Sequence, residues 1–97
     1  MYDIHFDPNY FTMFIYENED LVKIIHVSHG NYLVRLDIGK NSNPNNSNFI
    51  KYLLDSNIAT IQEISDHDIR WPFEDKNGLI PGSYTLKLNH STLLKLM

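Results

Sequence analysis

The fold is decided by residues 10–29, which read Tyr10-Phe11-Thr12-Met13-Phe14-Ile15-Tyr16-Glu17-Asn18-Glu19-Asp20-Leu21-Val22-Lys23-Ile24-Ile25-His26-Val27-Ser28-His29. Aromatic and β-branched residues, which favour strands, dominate both halves of this stretch. A polar tip, Glu17 to Asp20, separates the two halves. Two strand-forming runs joined by a short polar segment indicate a β-hairpin. The four aromatic side chains at 10, 11, 14 and 16 exceed what one strand face needs, so we expect some of them to reach a second layer or a partner.

The segments on either side of the hairpin extend it into a meander. Before it, Tyr2, Ile4 and Phe6 alternate with polar residues, which is the pattern of a half-buried strand. After it, Gly30-Asn31 offers a tight reversal, and residues 32–38 alternate again. The sequence therefore predicts a third antiparallel strand directly after the hairpin.

The second half of the chain adds one helix and further strands. Residues 39–48 are rich in asparagine and predict a loop. Apolar residues at 49, 50, 53 and 54 share one helical face, and Ser47 or Asn48 is the expected N-cap. Residues 58–64 fit a strand or a continued helix, and we favour the strand. Residues 84–88 predict a last strand, Leu79-Ile80 a brief pairing, and Leu93, Leu94 and Leu96 a docking tail.

Together these elements predict an α+β fold, with a mainly antiparallel sheet of about five strands and one amphipathic helix packed on one face. The 97 residues suit a single globular domain, 1–97. The chain has no cysteine, which excludes disulfides and cysteine-based metal sites. No apolar run approaches the roughly 18 residues of a membrane span, and no signal peptide is visible, so we expect a cytoplasmic protein without membrane contact.

The charge of the chain is concentrated in one window. Residues 63–75 carry five carboxylates and one cation, Arg70, which accounts for the whole formal net charge of −4. The only tryptophan, Trp71, lies inside this window. A large aromatic framed by one sign of charge is typical of a recognition surface. The residues expected to bind a partner are those of the window and of the hairpin tip: Asp66, Asp68, Trp71, Phe73, Glu74, Asp75, Glu17, Glu19 and Asp20.

The opposing interpretation is that the window is a solvated connection and that Trp71 belongs to the core. Other chemistry has weaker support. Asp3, His5 and Asp7 share one face of the first predicted strand and offer a metal- or ligand-binding alternative. The spacing of His26 and His29 places them on opposite strand faces, and Ser65-Asp66-His67-Asp68 fits a polar turn better than a catalytic triad. We expect no enzyme activity and no cofactor.

A small, acidic, cysteine-free chain without catalytic motifs is typical of an inhibitor that covers a basic surface. We expect a bacterial immunity protein or antitoxin that neutralises a cognate nuclease toxin, because a site built for phosphates is lined with Lys and Arg. The alternative is a phage nucleic-acid mimic that blocks a host defence nuclease. The scattered bases argue against direct nucleic-acid binding. We expect a monomer or a homodimer, in which residues 10–16 would pair edge to edge.

Overall fold

The computed structural model describes residues 1–67, 70 and 73–97. Within these residues the chain forms two three-stranded antiparallel sheets and two helices, an α+β architecture. In chain order the elements are β1 (Tyr2–Asp7), β2 (Thr12–Glu17), β3 (Asp20–His26), β4 (Leu33–Ile38), α1 (Asn46–Asp55), β5 (Ala59–Ser65), β6 (Gly82–Leu88) and α2 (His90–Leu94).

The first sheet has the order β1-β2-β3 and confirms the predicted first strand and hairpin. Because β2 is its central strand and pairs on both sides, the predicted edge-to-edge pairing of residues 10–16 with a second copy is wrong. The hairpin turn is made by Asn18 and Glu19, both with positive φ, which is the backbone geometry of a two-residue turn between twisted strands. Val22 is an extra residue in β3, since Ile15 pairs with Lys23 and Tyr16 pairs with Leu21. Such a bulge increases the local twist of the strand.

The second sheet has the order β4-β6-β5, and the prediction of one sheet of about five strands is wrong. The chain does reverse near Gly30, but β4 pairs with β6 and not with β3. Val34 and Leu36 of β4 lie opposite Leu86 and Tyr84 of β6, and all four side chains are buried. The burial of these side chains selects the strand partner, and the local turn does not. Strands β5 and β6 confirm the strands predicted over 58–64 and 84–88. Leu79 and Ile80, in contrast, lie outside the strands.

The helix α1 buries Phe49, Ile50 and Leu53, as its apolar spacing predicts. Its N-cap is Asn45, with no side-chain cap bond, so the prediction of a cap at Ser47 or Asn48 is wrong. Both residues lie inside the helix, where their side chains make long-range hydrogen bonds. The predicted tail docks at Leu93, which is buried, and the Phe6 N–H donates to the Leu96 carbonyl at 2.9 Å. Leu94 is 53% exposed, so its predicted docking is wrong, and the short helix α2 is not predicted by the sequence. Among the described residues, no helix has the length and apolar character that spanning a membrane requires.

One hydrophobic cluster joins both sheets and both helices. Phe6, Met13 and Ile25 form a row across the inner face of the first sheet. The outer face of the second sheet carries polar residues, including the cross-strand row Arg35, Thr85 and Glu63.

Candidate protein-binding site

The acidic segment after residue 73 is fixed by a turn organised around Asp75. The Asp75 carboxylate accepts hydrogen bonds from the backbone N–H groups of Asn77 and Leu79, at 2.8 and 3.0 Å. The Asp75 N–H donates in turn to the Leu79 carbonyl at 2.9 Å. This is the turn that Asp75-Lys76-Asn77-Gly78 predicts, with Gly78 at a positive φ. The carboxylate therefore holds the local backbone in place.

The same turn is tied to the first turns of α1. The Ser47 hydroxyl donates to the Asp75 carboxylate, and the Asn77 amide donates to Ser47 Oγ and to Asn48 Oδ1, both at 2.9 Å. Burial opposes ionisation of Asp75, but the hydrogen bonds from Ser47, Leu79 and Asn77 outweigh it and hold the pKa of the carboxyl below its usual range. A carboxylate at this place is also favoured by the N-terminal end of the helix dipole.

The hairpin tip reaches the same helix from the first sheet. Tyr2 pairs with Glu17 across β1 and β2, and its ring packs edge-on against Phe49 and Tyr52 of α1, with centroids 5.3 and 5.5 Å apart. Burial raises the pKa of Tyr2, the Glu17 carboxylate raises it further, and a hydrogen bond with Asn48 acts in the opposite direction. Asn48 therefore contacts both acidic regions, through Tyr2 on one side and Asn77 on the other.

Asp66 lies at this end of the molecule through the second sheet. It follows β5, whose last residue Ser65 pairs with Ser83 of β6. The neighbouring Gly82 pairs with Ile38, the last residue of β4. The Asn46 side chain, at the start of α1, donates to the Asp37 carbonyl at 2.8 Å and so holds the helix start beside this strand end. The turn of Asp75 and the ring of Tyr2, which is the cross-strand partner of Glu17, thus both contact the N-terminal half of α1. Asp66 follows the end of β5 at the same end of the second sheet.

We call this surface the acidic end and define it by Glu17, Glu19, Asp20, Asp66, Phe73, Glu74 and Asp75. Every one of these residues is exposed, and the Phe73 side chain is 65% exposed. Two cations, Arg70 and Lys76, occur in the same connection as Asp66, Glu74 and Asp75, and the six carboxylates of the acidic end outnumber them. Two residues that the sequence assigned to this surface, Asp68 and Trp71, lie outside the described residues.

The exposed segment 73–75 lies near a buried core residue, Tyr84. Burial raises the pKa of Tyr84, and the carboxylates of Asp75 and Glu74 act in the same direction. The Tyr84 hydroxyl donates to the Ile80 carbonyl at 2.7 Å, which satisfies its polar atom below the surface. The side chain of Tyr84 therefore anchors the residues that follow the acidic turn, and the turn lies close above a rigid core position.

The metal-binding alternative has no assembled ligand group among the described residues. No set of three or more His, Asp and Glu side chains within them is placed to hold an ion. Asp3 and His5 lie on the outer face of β1, where the His5 ring stacks on Phe14 with centroids 6.3 Å apart. Asp7 accepts a hydrogen bond from the Asn9 N–H at 2.9 Å, so it organises the turn after β1.

Sequence reasoning missed the residues that bring the two acidic regions together. Ser47, Asn48 and Asn77 carry no charge. Ser47 and Asn48 end an asparagine-rich segment and Asn77 lies in a turn motif, so the sequence predicts only a loop, a helix cap and a turn there. One signal was present: Asn77 follows Asp75 in a strong turn motif, and a short amide there is well placed to bond a neighbouring element. For Tyr2 the sequence predicts only a position in a strand.

Comparisons with protein-family models, with curated proteins and with solved structures find no match for this chain. The fold and the acidic end therefore define it only as a two-sheet α+β protein with a carboxylate-rich surface.

Proposed function

We propose that this protein is a protein-binding inhibitor whose acidic end covers a basic surface. The observation that carries the proposal is that two acidic regions, distant in sequence, meet around the N-terminal half of α1, with Phe73 exposed beside them. The partner class that fits best is a nuclease toxin, and the protein would then be a bacterial immunity protein or antitoxin. Lys and Arg residues that bind phosphates in a nuclease are complementary to clustered carboxylates.

In such a surface, charged groups mainly affect the rate of association, and apolar contacts mainly affect the binding energy. Carboxylates on an exposed rim raise the rate of association with a basic partner by roughly 10- to 10³-fold at low salt. An aromatic side chain in the centre of an interface supplies short-range binding energy once water is excluded. Glu74 and Phe73 are neighbours in sequence and place both functions on one segment.

The hydrogen bonds of Asp75 support this proposal because they order the segment before any partner arrives. Three donors hold its carboxylate, and Asn77 ties the turn to α1. An ordered segment loses less conformational entropy on binding than a flexible one. In the proposed complex Asp75 thus positions Phe73 and Glu74, while Glu74 and the hairpin tip face the basic partner.

The test uses the product of the neighbouring reading frame as the partner. That protein is purified, its cleavage of plasmid DNA is measured, and this chain is added at increasing ratio. We expect cleavage to stop near one molar equivalent. Replacing Glu17→Lys together with Glu74→Lys should slow association at least about tenfold, because two steering charges change sign.

The matched control is Asp55→Lys, a charge reversal at the last residue of α1. Asp55 lies about 14 Å along the helix from Asn46, given a rise of about 1.5 Å per residue. Among the described residues, the Asp55 side chain forms only the exposed ion pair with Lys51, at 3.1 Å, so its loss is mild. The proposal fails if the neighbouring protein cleaves DNA equally well with this chain present. It fails also if the control weakens inhibition as much as the acidic-end variant.

A further inference from the structure

A groove of about 720 Å³ separates the two sheets along β3 and β4. One wall consists of consecutive residues 23–28, in β3 and just after it, and residues 33, 35 and 36 of β4 form the other. The rest of the lining consists of Asn31, between the two strands, and of Gln62, Glu63 and Thr85 from β5 and β6. The volume lies within the range of roughly 300–1,000 Å³ that is common for ligand sites. None of these residues belongs to the acidic end.

The groove is closed at one end by hydrogen bonds between its two walls. The Ser28 N–H donates to the Leu33 carbonyl at 2.9 Å, and the Leu33 N–H donates to Ser28 Oγ at 3.1 Å. Beyond this bridge β3 and β4 belong to different sheets, and each is an edge strand among the described elements. The two strands therefore diverge from a shared base and leave two open edges facing one space.

The hydrogen-bond pattern shows which backbone groups face this space. The Val27 N–H donates to the Phe11 carbonyl, away from the groove, whereas the Ser28 N–H points to β4. Backbone groups alternate between the two edges along a strand, so Ile24 and His26 direct their N–H and C=O groups into the groove. On β4 the same alternation from Leu33 directs the backbone groups of Arg35 there.

Side chains around these edges are suited to an extended peptide. Ile24 is 50% exposed and Leu21 is 48% exposed, so β3 offers apolar contacts on a strand that has no proline to block pairing. Lys23 and Arg35 line the groove against a single carboxylate, Glu63. Neither cation forms an ion pair with any described residue. The groove thus carries excess positive charge on a chain whose net charge is −4.

We propose that this groove binds an extended acidic peptide segment of a partner protein, which adds as a strand to the free edge of β3. Main-chain hydrogen bonds to Ile24 and His26 would supply affinity, and Lys23 and Arg35 would select carboxylates. A second copy of this chain fits less well, because pairing two β3 strands would bring both copies of Lys23 and Arg35 into one groove. Like charges opposed across strands destabilise the pairing.

The test measures binding of two fluorescent eight-residue peptides to the full chain. One peptide alternates glutamate and valine, and the other alternates lysine and valine. We expect each charge pair that the glutamate peptide forms to tighten its binding by up to about fivefold relative to the lysine peptide. Amide hydrogen exchange by NMR should show that the N–H groups of Ile24 and His26 become protected only when that peptide is present.

A charge-reversal variant makes the test specific to the groove. Lys23→Glu with Arg35→Glu should invert the preference, so that the lysine peptide binds more tightly than the glutamate peptide. The matched control, Lys40→Glu with Lys95→Glu, makes the same charge change at exposed residues outside the groove and should keep the original preference. The proposal is overturned if the two peptides bind the native chain equally or if the amides of Ile24 and His26 stay unprotected. A dimer that protects these amides without any peptide overturns it as well.

Discussion

The acidic end and the groove are built in different ways. At the acidic end, connections from distant parts of the sequence are held around α1 by hydrogen bonds from neutral side chains. The groove is formed by two strands that follow one another in the chain and do not pair. The acidic end is held by Asp75, Asn77 and Asn48, so its carboxylates have fixed surroundings. The groove has a hydrogen-bonded base at Ser28 and Leu33 and open backbone edges beyond it. The acidic end presents carboxylates in fixed positions, and the groove presents backbone N–H and C=O groups of two edge strands.

The two proposals assign a different mode of recognition to each surface. A surface of carboxylates and one aromatic suits a folded partner with a complementary charged face. An open strand edge suits an extended segment, which supplies the missing main-chain partners. The two surfaces also depend on different parts of the core, and substitutions that separate them give the sharpest tests of the comparison.

The largest effect is expected at the core position that supports the acidic end. Phe49 is 2% exposed and contacts Tyr2, which leads to the hairpin tip. Phe49→Ala should lower the free energy of unfolding by about 3–5 kcal/mol, since it leaves a cavity under α1. Denaturant unfolding followed by circular dichroism measures the change.

The matched control for Phe49 is the exposed phenylalanine of the acidic end. Phe73→Ala should change the free energy of unfolding by less than about 1 kcal/mol, because most of its side chain is already in solvent. An equally large loss for both variants would mean that Phe73 supports the fold, and it would remove Phe73 as a binding residue.

Much of the first sheet could be predicted from the sequence because local signals agree there. The runs on both sides of Glu17 to Asp20 have strong strand preference, and the polar tip marks the turn. The pairing of β4 could not be predicted, because its alternation fits either sheet. Only the packing of Val34 and Leu36 beside Leu86 and Tyr84 decides it, and that contact is distant in sequence.

The acidic end could also be predicted only as far as local sequence signals reach. Clustered carboxylates are visible in sequence, so both acidic regions were identified. Their meeting place was not visible, because it depends on neutral side chains at Ser47, Asn48 and Asn77. The groove gave no sequence signal at all, since a strand edge left open by a change of sheet has no characteristic residue pattern.

The next prediction compares the loss of stability at two adjacent residues of β3, one facing the core and one facing the solvent. Ile25 is 5% exposed and Ile24 is 50% exposed. Ile25→Thr should lower the free energy of unfolding by about 2 kcal/mol, because it removes buried apolar volume and buries a hydroxyl. Ile24→Thr should change it by less than about 0.5 kcal/mol. Equal losses in denaturant unfolding would show that Ile24 is covered, and would contradict an open edge at the groove.

A smaller effect, with a pH signature, is expected at Asp75. Asp75→Asn should lower the free energy of unfolding at pH 7 by about 1 kcal/mol, since the hydrogen bonds lose a charged acceptor that solvent already screens. The pKa of Asp75 is lowered in the folded protein, so its contribution is present above the unfolded value of about 3.9 and is lost as the pH falls through the folded pKa.

Thermal melts between pH 7 and pH 2 check the Asp75 prediction. The stability difference between the native chain and Asp75→Asn should shrink as the pH falls below about 4, because protonation removes the same charge. Asp66→Asn is the matched control, since asparagine accepts the positive φ found at Asp66. A difference that stays constant down to pH 2 would mean that the Asp75 carboxylate does not stabilise the turn through its charge.

The smallest effect is a gain of stability at the hairpin tip. Glu19 has a φ of 73°, a left-handed conformation that costs a side chain energy and costs glycine little. Glu19→Gly should raise the free energy of unfolding by about 1 kcal/mol, while Glu19→Gln, which keeps the strain, should leave it within about 0.5 kcal/mol. Both variants remove the same charge and should slow association with the basic partner equally. If only Glu19→Gly slowed association, the conformation of the tip would matter and the charge of Glu19 would not. Glu19 would then no longer count among the binding carboxylates of the acidic end.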